Sequence, residues 1–298
     1  MTADRPNVYT RITDSIIAAI EAGAGDFRMP WHSQGDLARP LNVMSGKPYR
    51  GINTVALWVA AEATGYAAPI WGTYKQWQEK GAQVRKGEKS STVVFWKVSD
   101  TGTDEAEGQG DDEGQPHARM FARAYSVFNA AQVDGWQAPA IPVLPQAERI
   151  DHAERFFSAL GATIKEGGAL ACYIPARDEI HLPPFAVFRD AVAYYATLAH
   201  EATHWTAHAS RCARDLKGRF GSESYAAEEL VAELGAAFLC SDLALTPEPR
   251  HDHAAYIASW LKVLRSDPRA IFTAAAKAQA AADWMHARQP KADIGEAA

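Results

Sequence analysis

Apolar side chains return every fourth residue at Val8, Ile12, Ile16 and Ile20, which predicts an amphipathic helix over roughly 6–22. Pro6 near its start and Gly23 just past its end punctuate it. After a Pro/Gly-rich loop, NTVALWVAAEATG reads as a second helix, with Asn53 as its expected cap and Gly65 as its stop. A third, short helix, TYKQWQEKG, leads into the basic turn VRKGEKS.

The pattern then changes period. Ser91–Val98 (STVVFWKV) is rich in β-branched and aromatic residues, and Arg119–Phe128 alternates so as to be its strand partner. Between them, about 99–117, lie seven acidic residues and four glycines without one Lys or Arg. Such a stretch has too little apolar surface to offset its ordering entropy, so a disordered hairpin loop is expected. A spacer is predicted over 137–148, where prolines crowd the sequence GWQAPAIPVLPQ.

Beyond it, helices are expected at 149–160, 188–209, 223–243, 252–265 and 268–287, with a short extended pair around ACYIPARDEIHLPP. The reading is α+β with two domains, 1–136 and 149–298.

Composition adds a charge asymmetry. The net charge of −6 divides into +3 over residues 1–100 and −9 over the remainder. A mildly basic front and an acidic rear suggest different partners for the two regions. The field is too weak for a protein that mimics DNA by its acidic surface. The sequence has no window long and apolar enough for a membrane span and no signal-peptide pattern at its start, so a cytoplasmic location is expected. Three scattered cysteines without a CxxC pair exclude a thiolate zinc finger.

The chemistry concentrates in AHEATHW. His200 and His204 are four apart and share one helix face, so both rings can reach a single ion at about 2.0–2.1 Å. Zinc is the expected ion. Glu201, between them in sequence, is placed to take a proton from a metal-bound water. A third ligand must come from another element. Downstream, SYAAEELVAE places Glu229 and Glu233 four apart on an apolar-periodic helix. One can bind the ion while the other orients a ligand histidine; Glu228 stays open as an alternative to Glu229. His208 is expected to stand aside, because eight residues of straight helix rise about 12 Å.

In the front half, cations and aromatics interleave at Tyr49, Arg50, Trp71, Lys75, Arg85, Lys86, Lys89 and Trp96. This is the composition of a groove for single-stranded nucleic acid.

With HEATH followed by SYAAEELVAELGAAFL, the rear half resembles zincin metallopeptidases of the gluzincin arrangement. More narrowly, it is similar to the peptidase-like domain of ArdC-type antirestriction proteins carried by conjugative plasmids. The segments NVYTRITDSIIAAIEA, PYRGIN, WGTYKQWQEKGAQVRKGEKSSTVVFWK and VFNAAQVDGW resemble that family's N-terminal domain, shared with TraC-type primases. The resemblance implies single-stranded DNA as partner and protection of incoming plasmid DNA from restriction. It further implies His200, His204 and Glu229 as metal ligands, Glu201 as general base and Glu233 as an orienting carboxylate. A host restriction enzyme or another protein is the expected peptidase substrate. The competing reading is a metallopeptidase whose front domain recognises a protein and has no role in DNA protection.

Overall fold

The computed structural model describes residues 7–24, 29–31, 38–99, 119–137, 145–217, 222–246 and 254–290. The expected acidic loop and most of the proline-rich spacer lie outside them. The architecture is α+β, with a sheet-containing front region and a largely helical rear.

Helix α1 (Val8–Gly23) is capped by Asn7, whose side chain accepts from Thr10 N, and buries Ile12, Ile16 and Ile20 as its period requires. Helix α2 (Ile52–Thr64) is buried through its first two turns and ends at Gly65 in the left-handed conformation. Asn53 does not cap it; Gly51 takes the cap position. Instead the Asn53 amide donates to Val94 O and accepts from Val94 N, both at 2.7 Å.

Val94 lies in β4 (Ser91–Ser99), the terminal strand of a four-stranded sheet. The other strands are β1 (Leu41–Asn42), β2 (Ile70–Gly72) and β5 (Arg119–Asn129), in the order β1-β2-β5-β4. At Val94 one buried side chain thus takes the place of a neighbouring strand and pairs both backbone groups on the open edge. The expected β4–β5 pair forms and is antiparallel, with Ser91 facing Val127 and Ser99 facing Arg119. The pair β3 (Gln83–Val84) and β6 (Val133–Asp134), like β1 and β2, is too short to leave a period in sequence. Helix α3 (Tyr74–Glu79) opens on a capping box formed by Thr73 and Gln76.

In the rear, α4 (Gln146–Ser158) precedes a three-stranded sheet of β7 (Thr163–Glu166), β8 (Cys172–Ile174) and β9 (Glu179–Leu182), ordered β7-β9-β8. The expected extended pair is β8 and β9. β7 is an additional strand, parallel to β9. Four helices follow among the described residues: α5 (Ala191–Trp205), α6 (Glu223–Asp242), α7 (Ala254–Ser266) and α8 (Ala270–His286).

The two regions share a core. One cluster of buried side chains runs from Ile12, Ile16 and Val55 to Phe238, Trp260 and Ala275. Trp58 meets Phe238 at 5.8 Å between ring centres, and Tyr9 meets Phe272 at 4.7 Å. Arg39 forks onto Asp242 at the end of α6 with both bonds at 2.9 Å and covers the Phe238 ring.

Asn53→Ala should leave the Val94 N–H and C=O unpaired and lower unfolding stability by about 2–4 kcal/mol. Denaturant unfolding of the variant beside the parent measures this. A loss within a few tenths would mean that water or a neighbour reseals the edge.

Candidate metal centre

Helix α5 begins at Asp190, whose carboxylate accepts from Ala193 N, and carries His200, Glu201 and His204 on buried turns. It ends at Trp205. His208 therefore stands beyond the helix, half-buried and bonded through Nδ1 to Ser210. It is excluded by the end of the helix rather than by the rise along it. Helix α6 packs closely against α5 at Gly235, where an added Cβ would fall 2.5 Å from the Thr203 side chain. That approach brings the carboxylates of one helix to the imidazoles of the other.

Glu229 Oε2 lies 3.6 Å from His200 Nε2, and its Oε1 lies 3.5 Å from His204 Nε2. One donor atom from each of these three residues falls within 4.8 Å of the others, a spacing able to hold a metal ion. The opposite ring nitrogens face different acids. His200 Nδ1 is 3.1 Å from Glu233 Oε1, although off the line of a well-formed hydrogen bond. His204 Nδ1 is 3.4 Å from Glu228 Oε1. Of the two adjacent glutamates, Glu229 faces both Nε2 atoms, while Glu228 stands behind His204.

Glu228 is itself gripped by Arg214. Nε lies 3.2 Å from both carboxylate oxygens, and Nη2 lies 2.8 Å from Oε1. No sequence signal marked Arg214, which sits in a polar segment past the helix. The chain reverses there, with Cys212 N bonded to Thr206 O and Arg214 N to Ala207 O.

The site is dense in buried charge. Burial would push the His200 ring down, but Glu229 and Glu233 outweigh it and hold the ring at about 10. Burial likewise opposes His204, yet Glu228 and Glu229 raise it to about 8. Glu229 shows the converse: burial would raise it, and the two histidines pull it far below the usual carboxylate range.

A cleft of about 450 Å³ opens over these groups, edged by Cys172, Tyr173, Leu216, Tyr225 and Tyr256. Glu201 lines it and is buried. The Tyr225 hydroxyl lies 3.3 Å from that of Tyr256.

The front-half candidates scatter. Tyr49 and Trp71 are core residues, 6% and 1% exposed, with no ring face open to a base. Arg50 pairs with Asp283 on α8, and Arg85 with Glu88 at 2.7 Å. Lys75, Lys86, Lys89 and Trp96 are exposed. Sequence reading missed a second group. Phe95, 47% exposed, packs edge-on against Tyr125 at 5.4 Å, and the Arg123 guanidinium lies over Tyr125.

Residues 151–277 match the family described as zincin-like metallopeptidase. Residues 6–128 match the N-terminal domain of the anti-restriction factor ArdC. The metal-free crystal structure of the antirestriction protein ArdC from the R388 plasmid is 42% identical, with a TM-score of 0.77 over 95% of this chain and 98% of that one. The chain belongs to the ArdC family of antirestriction proteins.

The Mn(II)-bound structure of the same R388 protein is 41% identical at a TM-score of 0.77, covering 97% of this chain and all of that one. An uncharacterised protein, y4eC of Sinorhizobium fredii, is 56% identical over 99% of this chain and 98% of its own length. DNA primase TraC of Escherichia coli is 40% identical over 95% of this chain, which spans only 27% of the primase. Among the described residues of this ArdC-family chain, no helix is long and apolar enough to cross a membrane.

An ion must displace the protons on His200 and His204, so affinity for Mn2+ should climb by about tenfold or more per pH unit between pH 6 and 8. In metal-free protein the sign reverses. Histidines raised above their ordinary 6.5 stabilise the fold below that value, and the contribution is lost as pH rises through about 8 and about 10. Thermal unfolding with and without chelator across this range reads both slopes. A flat metal titration would contradict the assignment of these rings as ligands.

Proposed function

We propose that this chain protects single-stranded plasmid DNA from restriction during conjugative transfer, joining a DNA-binding front region to a metal-dependent peptidase centre. The observation that carries the peptidase half is the convergence of His200 Nε2, His204 Nε2 and Glu229 in a cleft that Glu201 also lines. A divalent ion bound there, zinc or manganese, would acidify a water and polarise a substrate carbonyl. Glu201 is the group placed to accept the water's proton and pass it to the leaving amine. Glu233, 3.1 Å from His200 Nδ1, is the carboxylate that would orient that ring once the contact tightens around an ion. Tyr225 and Tyr256 border the cleft on the α6 and α7 side, where a peptide would lie. The proposed domain limits remain 1–136 and 149–298, although the two regions lean on a common core.

The DNA half rests on the ArdC N-terminal match and on exposed aromatic and cationic side chains. We assign contact to Lys75, Lys86, Lys89 and Trp96, and add Phe95, Arg123 and Tyr125. Val93 faces Tyr125 and Phe95 faces Arg123 across the β4–β5 pair, so these three added side chains share one sheet face. Bases stack on such rings without regard to sequence, and cations follow the phosphates. The buried Tyr49 and Trp71 would support that surface rather than touch DNA. The second reading, a peptidase whose front region recognises a protein, draws on the same exposed Phe95 and Trp96.

Glu201→Ala should keep divalent-ion and oligonucleotide binding but lose hydrolysis by about 10²–10⁴-fold. Plasmid transfer into a restricting recipient then separates the two activities. Full protection by the variant would make proteolysis dispensable; loss of protection with both binding activities intact places the metal chemistry in the mechanism.

The full-length chain should bind a labelled single-stranded oligonucleotide more tightly than duplex. Phe95→Ala should weaken binding by about 1–3 kcal/mol. Replacing Lys86 and Lys89 with Ala should flatten the salt dependence by about one to two units of slope. Absence of binding by the parent protein would instead favour the protein-recognition reading.

A further inference from the structure

We infer that Arg214 and Glu228 are positioning residues for the metal centre: Arg214 holds Glu228 on the back of His204 and so reserves the ligand position for Glu229. The inference rests on the metal-site reading above and concerns which of two neighbouring glutamates reaches the ion. Glu228 and Glu229 are adjacent on α6 and both are buried beside His204. A buried carboxylate with no cation would be drawn to a divalent ion, since that is the strongest nearby source of compensation.

Arg214 removes that option. Its fork engages both oxygens of Glu228. The remaining contacts anchor the guanidinium to the last turn of α5, with Nη1 on Thr206 Oγ1 at 2.9 Å and Nη2 on Thr203 O at 2.7 Å. Both side chains of the pair are almost fully buried, so the geometry is not a surface ion pair averaged by solvent. Glu228 Oε1 is left facing His204 Nδ1, where it can accept the ring N–H, so that Nε2, on the Glu229 side, is the nitrogen left to present a lone pair to a bound ion.

The two ligand histidines are thus oriented by separate acids from one helix. His200 Nδ1 lies beside Glu233, whereas His204 Nδ1 lies beside a carboxylate fixed by an arginine. A lysine could satisfy one Glu228 oxygen, but it cannot also span Thr203 O and Thr206 in the planar fork that Arg214 uses.

The test is Mn2+ titration of the full-length protein, read by calorimetry, with thermal unfolding of the metal-free chain as control. Glu228→Ala and Arg214→Ala should each weaken Mn2+ binding about 10–100-fold, the range for removal of a group that orients a ligand. Glu228→Gln, which can still accept from His204 Nδ1, should recover most of the Glu228→Ala loss, and Arg214→Lys should recover only a small part of the Arg214→Ala loss. Were Arg214→Ala to fold poorly, the Glu228→Ala and Glu228→Gln pair decides alone. Parental affinity in Glu228→Ala overturns the proposal, as does a Gln variant no better than Ala. His204→Ala and Glu229→Ala bear on the metal site itself: parental Mn2+ affinity in both would remove the underlying reading and leave the Arg214–Glu228 contact as packing only.

Discussion

Everything at the centre depends on how closely α5 and α6 approach. Gly235 faces Thr203 with no room for a Cβ, so the helix backbones meet where most residue pairs would hold them apart. Three glutamates of α6 are thereby carried to two histidines of α5. A wider spacing would move Glu229 out of range of both Nε2 atoms together. Small-residue contact is therefore as much a part of the site as the ligands are.

Such an approach concentrates charge in a poorly solvated place. Glu228, Glu229 and Glu233 are buried, and each meets a positive partner: Arg214 for the first, the histidine pair for the second and His200 for the third. Burying an unpaired carboxylate is far more costly than burying a compensated one. In metal-free protein the compensation comes partly from protons on the rings, which is why both histidines hold them well above the usual range. A divalent ion supplies the same charge without the protons. Proton and metal therefore compete for one electrostatic role.

The front region is structurally continuous with this centre. Asp242, at the far end of the helix that bears Glu229, receives the Arg39 fork and also bonds His286 of α8. Gln279 of α8 accepts from both Arg39 and Gly51 N, tying the start of α2 to the same helices. Two regions with separate family relationships lean on one body of buried side chains, so a change at one reaches the packing of the other.

The sequence by itself determined the helices and their buried faces, since a period near four survives in any context that offers a core. It also determined the metal-binding pair, because four residues of helix place His200 and His204 on one face whatever surrounds them. The long β4–β5 pair was legible from its composition. Tertiary structure decided the rest. Glu229 rather than Glu228 faces both rings because of how α6 is rotated against α5, and adjacent residues on a helix look alike in sequence. Arg214 was invisible because its role arises from a chain reversal that no local pattern encodes. Tyr49 and Trp71 read as base-stacking groups by type, yet packing put them inside, while Phe95 and Arg123 were left outside on the face of a sheet. Residue type states what a side chain can do; only the three-dimensional neighbourhood states what it is free to touch.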